Sequence, residues 1–166
     1  MKRALLILVL SGLSVLSGQG CSVHPEVGAE EVAPPTRLDR EIIATDAAPA
    51  AIGPYSQAVR VGDTLYCAGQ IAIDPQTGKM VTGGVEPETR QVLANIRAVL
   101  SAAGFSPADV VQAQVFLADL NDYATMNSIY AEMFGTSPPA RAAMQVARLP
   151  KNAQIEIMVT AVRAGS

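Results

Sequence analysis

The chain has 166 residues, 49% of them hydrophobic and 16% charged, with a formal net charge of −3. That length suits one ordinary domain, and the balance excludes an intrinsically disordered chain. The acidic sign excludes an electrostatic footprint for nucleic acid, and with no tryptophan and few aromatics the core must come from aliphatic side chains and methionine.

Lys2 and Arg3 open the chain, residues 4–16 form an apolar run, and Gly18-Gln19-Gly20-Cys21 follows. A basic start, an apolar stretch and small residues make the plan of a secretory signal, and the run is short for a transmembrane helix. Cys21 directly after a small residue resembles the lipidation point of a bacterial lipoprotein, although Gly18 stands where such signals usually carry leucine. The expectation is a signal peptide over residues 1–20 and export to the periplasm as a lipoprotein anchored through Cys21. Plain secretion is the alternative. Losing Lys2 and Arg3 takes the net charge from −3 to −5 and leaves no polybasic patch for anionic lipid. Residues 22–41 are rich in Pro, Glu, Val and Ala without periodicity and read as a flexible tether. The folded domain is then expected over residues 42–166.

Ala58-Val59-Arg60-Val61 and Thr64-Leu65-Tyr66-Cys67-Ala68 read as two strands, with Gly62-Asp63 as the turn of a hairpin. Cys67 in the second strand reads as a buried, inert thiol. Gly69 to Ile73 continues to a loop at Asp74-Pro75-Gln76-Thr77-Gly78. Pro87, with Glu86 and Glu88, suits the first turn of a helix. Val92, Leu93, Ile96, Val99, Leu100 and Ala103 give it one apolar face, and Gly104 caps it. Val110 to Leu117 reads as a strand with Val111, Ala113, Val115 and Leu117 on one face. A second helix is predicted from Asn121 as N-cap to Phe134, closed by Gly135. Its stripe of Tyr123, Met126, Ile129, Tyr130 and Met133 reads as core. A strand through Arg141 comes next. The last strand runs from Gln154 to Val162, with Ile155, Ile157, Val159 and Ala161 facing one way and Glu156 the other. Both helices would cover one face of a mixed sheet.

The segment from Pro138 to Pro150 fixes Arg141 behind two prolines at the start of an apolar strand. A guanidinium in that setting needs an anionic partner, and its fork matches a carboxylate. A small-molecule carboxylate is one such partner. The one histidine, His24, lies in the tether, and no pair of residues has metal-ligand spacing. No metal and no cofactor is expected.

Five separated segments keep a familiar order: Ala50-Ala51-Ile52-Gly53-Pro54-Tyr55-Ser56-Gln57, Ala68-Gly69-Gln70-Ile71, Asp119-Leu120-Asn121-Asp122-Tyr123, Pro139-Ala140-Arg141 with Leu149-Pro150, and Ile155-Glu156-Ile157. From Ile42 to Arg163 the chain resembles the RidA/YjgF family of enamine/imine deaminases. The resemblance implies an α+β, chorismate-mutase-like fold, and a homotrimer with a central barrel and a site in each of three subunit clefts. It also implies a cofactor-independent hydrolase acting on 2-iminopropanoate-type intermediates. In this reading Arg141 grips the substrate carboxylate and Glu156 handles water and protons. Tyr55, Gly69 and Gln70 line the pocket, and Asn127 is a further polar contact. Many members carry Ser or Thr, then Cys or Thr, after the arginine. Here Ala142 and Ala143 stand there, so any water must use backbone groups such as the Ala143 carbonyl. The competing reading is a non-enzymatic trimeric module that binds a ligand or acts as a chaperone outside the cytoplasm. A ribonuclease reading is disfavoured by the acidic charge and the lack of a catalytic histidine.

Overall fold

The computed structural model describes residues 39–163. The expected signal over residues 1–20, Cys21 and the tether up to residue 38 lie outside the described residues. Eight main elements follow in order: β1 Arg40–Ile43, β2 Ala58–Val61, β3 Thr64–Cys67, α1 Val85–Ala102, β4 Val110–Leu117, α2 Tyr123–Phe134, β5 Ala140–Gln145 and β6 Ile155–Val162. The sheet order is β1-β2-β3-β6-β4-β5. All neighbours are antiparallel except β4 and β5, which are parallel. A parallel pair needs a crossover, and α2 is that crossover.

Both helices lie on one face of the sheet and share a core with it. The predicted apolar face of α1 is buried there, with Val92, Ile96, Val99 and Leu100 fully sequestered. Burying each such side chain stabilises the fold by roughly 1.5–3 kcal/mol. α1 ends where Gly104 turns left-handed at φ 74, a conformation that costs glycine nothing. The alternation of β6 holds throughout: Ile155, Ile157, Val159 and Ala161 are buried against the helices. Cys67 is buried on the same side, and burial pushes its thiol up to about 12, so it is inert.

Four expectations change. The domain opens two residues early: Arg40 pairs with Val61 and Glu41 with Arg60, so both are strand residues and not tether. In β4 the buried residue is Val110 and not Val111. The register shifts between Val110 and Gln112, and this bulge turns Val111 outward to 48% exposure. α2 is not capped by Asn121. A single 3-10 turn at Leu120–Asp122 precedes it, and the Asp119 carboxylate accepts the Asn121 N–H at 2.9 Å. Gly135 closes α2 in right-handed backbone, at φ −60. It is needed for space, because a Cβ there would lie 2.5 Å from the Ala131 carbonyl oxygen.

Candidate active site

Two hollows carry the candidate residues. The first opens beside the loop before β2. Gln57 is buried at the end of that loop and fastens it. Its amide nitrogen donates to the carbonyls of Thr45, Ala48 and Pro49 at 2.9, 3.2 and 2.8 Å, and its oxygen accepts the Thr45 N–H at 2.6 Å. The loop presents Tyr55, half exposed, whose hydroxyl accepts the Ile52 N–H at 3.2 Å. The facing wall is Ala68-Gly69-Gln70, where the chain leaves β3. Gln70 stays tied to β6 by reciprocal backbone bonds with Ile157 of 2.9 and 3.1 Å. Ile71 and Ile73 line the floor. Buried Asn95 of α1 holds them by donating to their carbonyls at 3.2 and 2.9 Å. The hollow measures about 300 Å³ and receives Glu156 from β6.

Glu156 lies against Gly69. A Cβ on residue 69 would meet the Glu156 carboxyl oxygen in a clash, with Cδ at 2.9 Å and Cγ at 3.2 Å. Gly69 is thus the wall that makes room for the carboxylate. Burial holds the Glu156 carboxyl above the usual glutamate range, the direction in which a carboxyl becomes a better proton acceptor. Glu156 itself is half-buried; the fully buried carboxylate is Glu88 of α1, which accepts the Gln154 N–H at 2.8 Å and so fixes the entry to β6. Burial raises that group as well, against the lowering effect of the hydrogen bond.

The second hollow, of about 310 Å³, lies between α2 and β5 and contains Arg141, Asn127, Tyr130 and Phe134, with Pro138 and Pro139 as its rim. Arg141 Nη2 donates to the Tyr123 hydroxyl at 3.0 Å and to Asn127 Oδ1 at 2.7 Å. The guanidinium carbon is 4.5 Å from the Tyr130 ring centroid and 5.6 Å from that of Tyr123. Tyr130 is buried, and burial pushes its hydroxyl up to about 12. The ion pairs among the described residues involve Arg60 and Arg90; no carboxylate there pairs with Arg141. Ala143 is on the same face of β5 and packs against the core. The Val146 N–H donates to the Leu117 carbonyl of β4. Backbone alternation therefore turns the polar groups of residues 141, 143 and 145 toward the free edge of the sheet.

The predicted residues thus form two sets. Tyr55, Gly69, Gln70 and Glu156 come together, and Arg141 joins Asn127. Arg141 pairs with Ala113 on the helix-covered face, whereas Glu156 pairs with Phe116 on the open face. One protomer does not bring the two sets into one cleft. Three residues that matter here are not among the site residues that the sequence indicates. By spacing Tyr123 and Tyr130 belong to the core stripe, yet Tyr123 is 40% exposed. Residues 123, 127 and 130 fall at i, i+4 and i+7, so one helical stripe faces the arginine, and that spacing was the available signal. Asn95 gave no signal, since an Asn in an apolar helical face has no spacing signature.

Residues 45–163 match the family model described as Endoribonuclease L-PSP. The chain belongs to that family. A 2-iminobutanoate/2-iminopropanoate deaminase of Bos taurus, itself similar in sequence, is 53% identical over 126 residues, covering 76% of this chain and 92% of the relative. RidA from an Antarctic Psychrobacter is similar in structure, with a TM-score of 0.72 at 45% identity over 74% of this chain and 99% of that one. Escherichia coli TdcF with bound serine gives 0.72 at 43% identity, over 75% and 99%. The mixed sheet with two helices on one face is shared with these structures of the L-PSP family, as the RidA/YjgF resemblance implied.

Proposed function

We propose that this protein hydrolyses 2-imino acids of the 2-iminopropanoate and 2-iminobutanoate type to 2-keto acids and ammonia. The observation that carries the reading is Arg141: a guanidinium held in a hollow by α2, with no carboxylate paired to it among the described residues. The names of the similar deaminases support the same reading. Arg141 binds the substrate carboxylate. Water adds to C2 as the C=N pair moves to nitrogen, and Glu156 accepts a proton from that water and passes it to the nitrogen. Glu156 then takes the hydroxyl proton of the resulting carbinolamine and returns it to the amine. The carbonyl forms, ammonia leaves and the carboxylate is restored. Positioning and proton transfer supply the acceleration. With Ala142 and Ala143 after the arginine, the water is held by backbone groups, the Ala143 carbonyl at the sheet edge among them.

The site is completed between protomers of a homotrimer. The open sheet face supports this: Ile42, Tyr66, Met144 and Val162 expose 59, 54, 40 and 37% of their surface there, an apolar patch suited to association. Tyr55 and Glu156 of one subunit then face Arg141 of the next. The same protein is exported by its leader and anchored by a lipid on Cys21. Among the described residues no helix is long and apolar enough to cross a membrane.

The test is imine decay, with the imine generated by an amino-acid oxidase. Arg141→Ala and Glu156→Ala homotrimers fall to a small residual turnover. When the two variants are co-expressed, random assembly of a symmetric trimer gives about one quarter of wild-type activity, because a quarter of the clefts draw one intact residue from each neighbour. No recovery would overturn the shared cleft, and a wild type without turnover would overturn the deaminase reading.

A further inference from the structure

We infer that Tyr123 is a positioning residue for the anion-binding arginine, acting with Asn127 to aim Arg141 before substrate arrives. This deepens the carboxylate-binding reading and rests on it. Arginine carries five N–H donors. Nη2 gives its hydrogens to the Tyr123 hydroxyl at 3.0 Å and Asn127 Oδ1 at 2.7 Å. The Nε hydrogen and the two on Nη1 remain for a ligand. The acceptors come from successive turns of α2, and Tyr130 from the next turn lies against the guanidinium, 4.5 Å from its ring centroid to the arginine carbon. One helix therefore sets both the direction and the plane of the cation.

The arrangement has an energetic reason. A free arginine spends rotamer entropy when it closes on an anion. Here that ordering occurs during folding, and the acceptors are neutral, so the positive charge stays available. A carboxylate in place of Asn127 or Tyr123 would hold the side chain equally well and would neutralise it. Tyr123 is 40% exposed as a residue and is not part of the buried core, so loss of its hydroxyl disturbs no core packing.

The experiment compares the full-length wild type with Tyr123→Phe, which keeps the ring and removes only the hydroxyl. Two readouts are taken: steady-state kinetics on enzymatically generated 2-iminobutanoate, and calorimetric binding of 2-oxobutanoate, which needs no turnover. Loss of one hydrogen bond to a charged group predicts about a three- to tenfold rise in KM and in the 2-oxobutanoate Kd. The value of kcat changes less than twofold, and the melting temperature is unchanged. Asn127→Asp tests the neutrality argument: it retains an acceptor yet weakens 2-oxobutanoate further than Tyr123→Phe does. Unchanged KM and Kd in Tyr123→Phe would overturn the inference, as would a loss confined to kcat. If wild type binds 2-oxobutanoate without hydrolysing the imine, the deaminase reading fails, and a weaker Kd in Tyr123→Phe still sustains the positioning role. A wild type that neither binds nor turns over overturns both.

Discussion

Replacing Gly69 by alanine acts first on Glu156, because the three atoms nearest the added methyl all belong to that side chain. The new Cβ would stand 2.9 Å from Cδ and 3.2 Å from Cγ of Glu156, and the carboxyl oxygen would overlap it. Backbone does not obstruct the change, and Gly69 is not left-handed, so the relief comes from rotation of the glutamate. The carboxyl group swings by about 1 Å or more, and a misplacement of that size in a reacting group costs about 10²-fold in rate. The fold pays little, since a flexible end yields: about 1 kcal/mol, at the low end for overpacking. The expected result is a kcat near one hundredth of wild type with a melting point lowered by about 4 °C. The imine-decay assay and calorimetry read the two quantities. A double-mutant cycle sharpens the test: in a Glu156→Ala background, Gly69→Ala lowers kcat no further, because both changes remove one interaction. Wild-type turnover in Gly69→Ala would refute the argument, and so would an additional loss in the double variant.

Two further outcomes follow from the same wall of the site. Burial raises the Glu156 pKa in the folded state, so folding favours its protonated form. Its contribution to stability is complete below the ordinary glutamate range and is lost as pH rises through the raised value. Denaturation midpoints of wild type and Glu156→Gln, measured from about pH 4 to pH 8, should therefore move against wild type as pH increases; parallel curves would contradict this. Gln57→Leu leaves the carbonyls of Thr45, Ala48 and Pro49 without their shared donor, at a cost of about 2–3 kcal/mol after the loop relaxes. Urea unfolding measures that loss, and faster hydrogen exchange at Thr45 should accompany it.

The parts of this fold that were legible in the sequence are those governed by period. The apolar face of α1, the alternation of β6 and the hairpin through Gly62-Asp63 each repeat a local rule several times, so errors average out. Single-residue events left no such trace. The bulge at Val111 is one extra residue in eight, and it reversed the inside-outside reading at the start of β4. β1 was hidden because Arg40 and Glu41 are charged and lie on an edge strand, where charge discourages pairing with other chains. The candidate site divided the same way. Glu156 declared its face through the alternation of its neighbours, whereas the face of Arg141 depends on its register against Ala113, a long-range pairing with no local signature. The stripe points Tyr123 to the core because a tyrosine in an amphipathic stripe is usually buried. Its hydroxyl has a different task, set by an arginine 18 residues further on.

The division of Arg141 and Glu156 between two faces of one sheet bears on what a single folded chain can do. In the proposed shared cleft, a lone protomer holds only half of each site. That proposal predicts a specific activity governed by mass action, falling on dilution as subunits part. Holding copies on a surface, as a lipid on Cys21 would, raises their local concentration and keeps the clefts assembled at expression levels where a freely diffusing form would be silent.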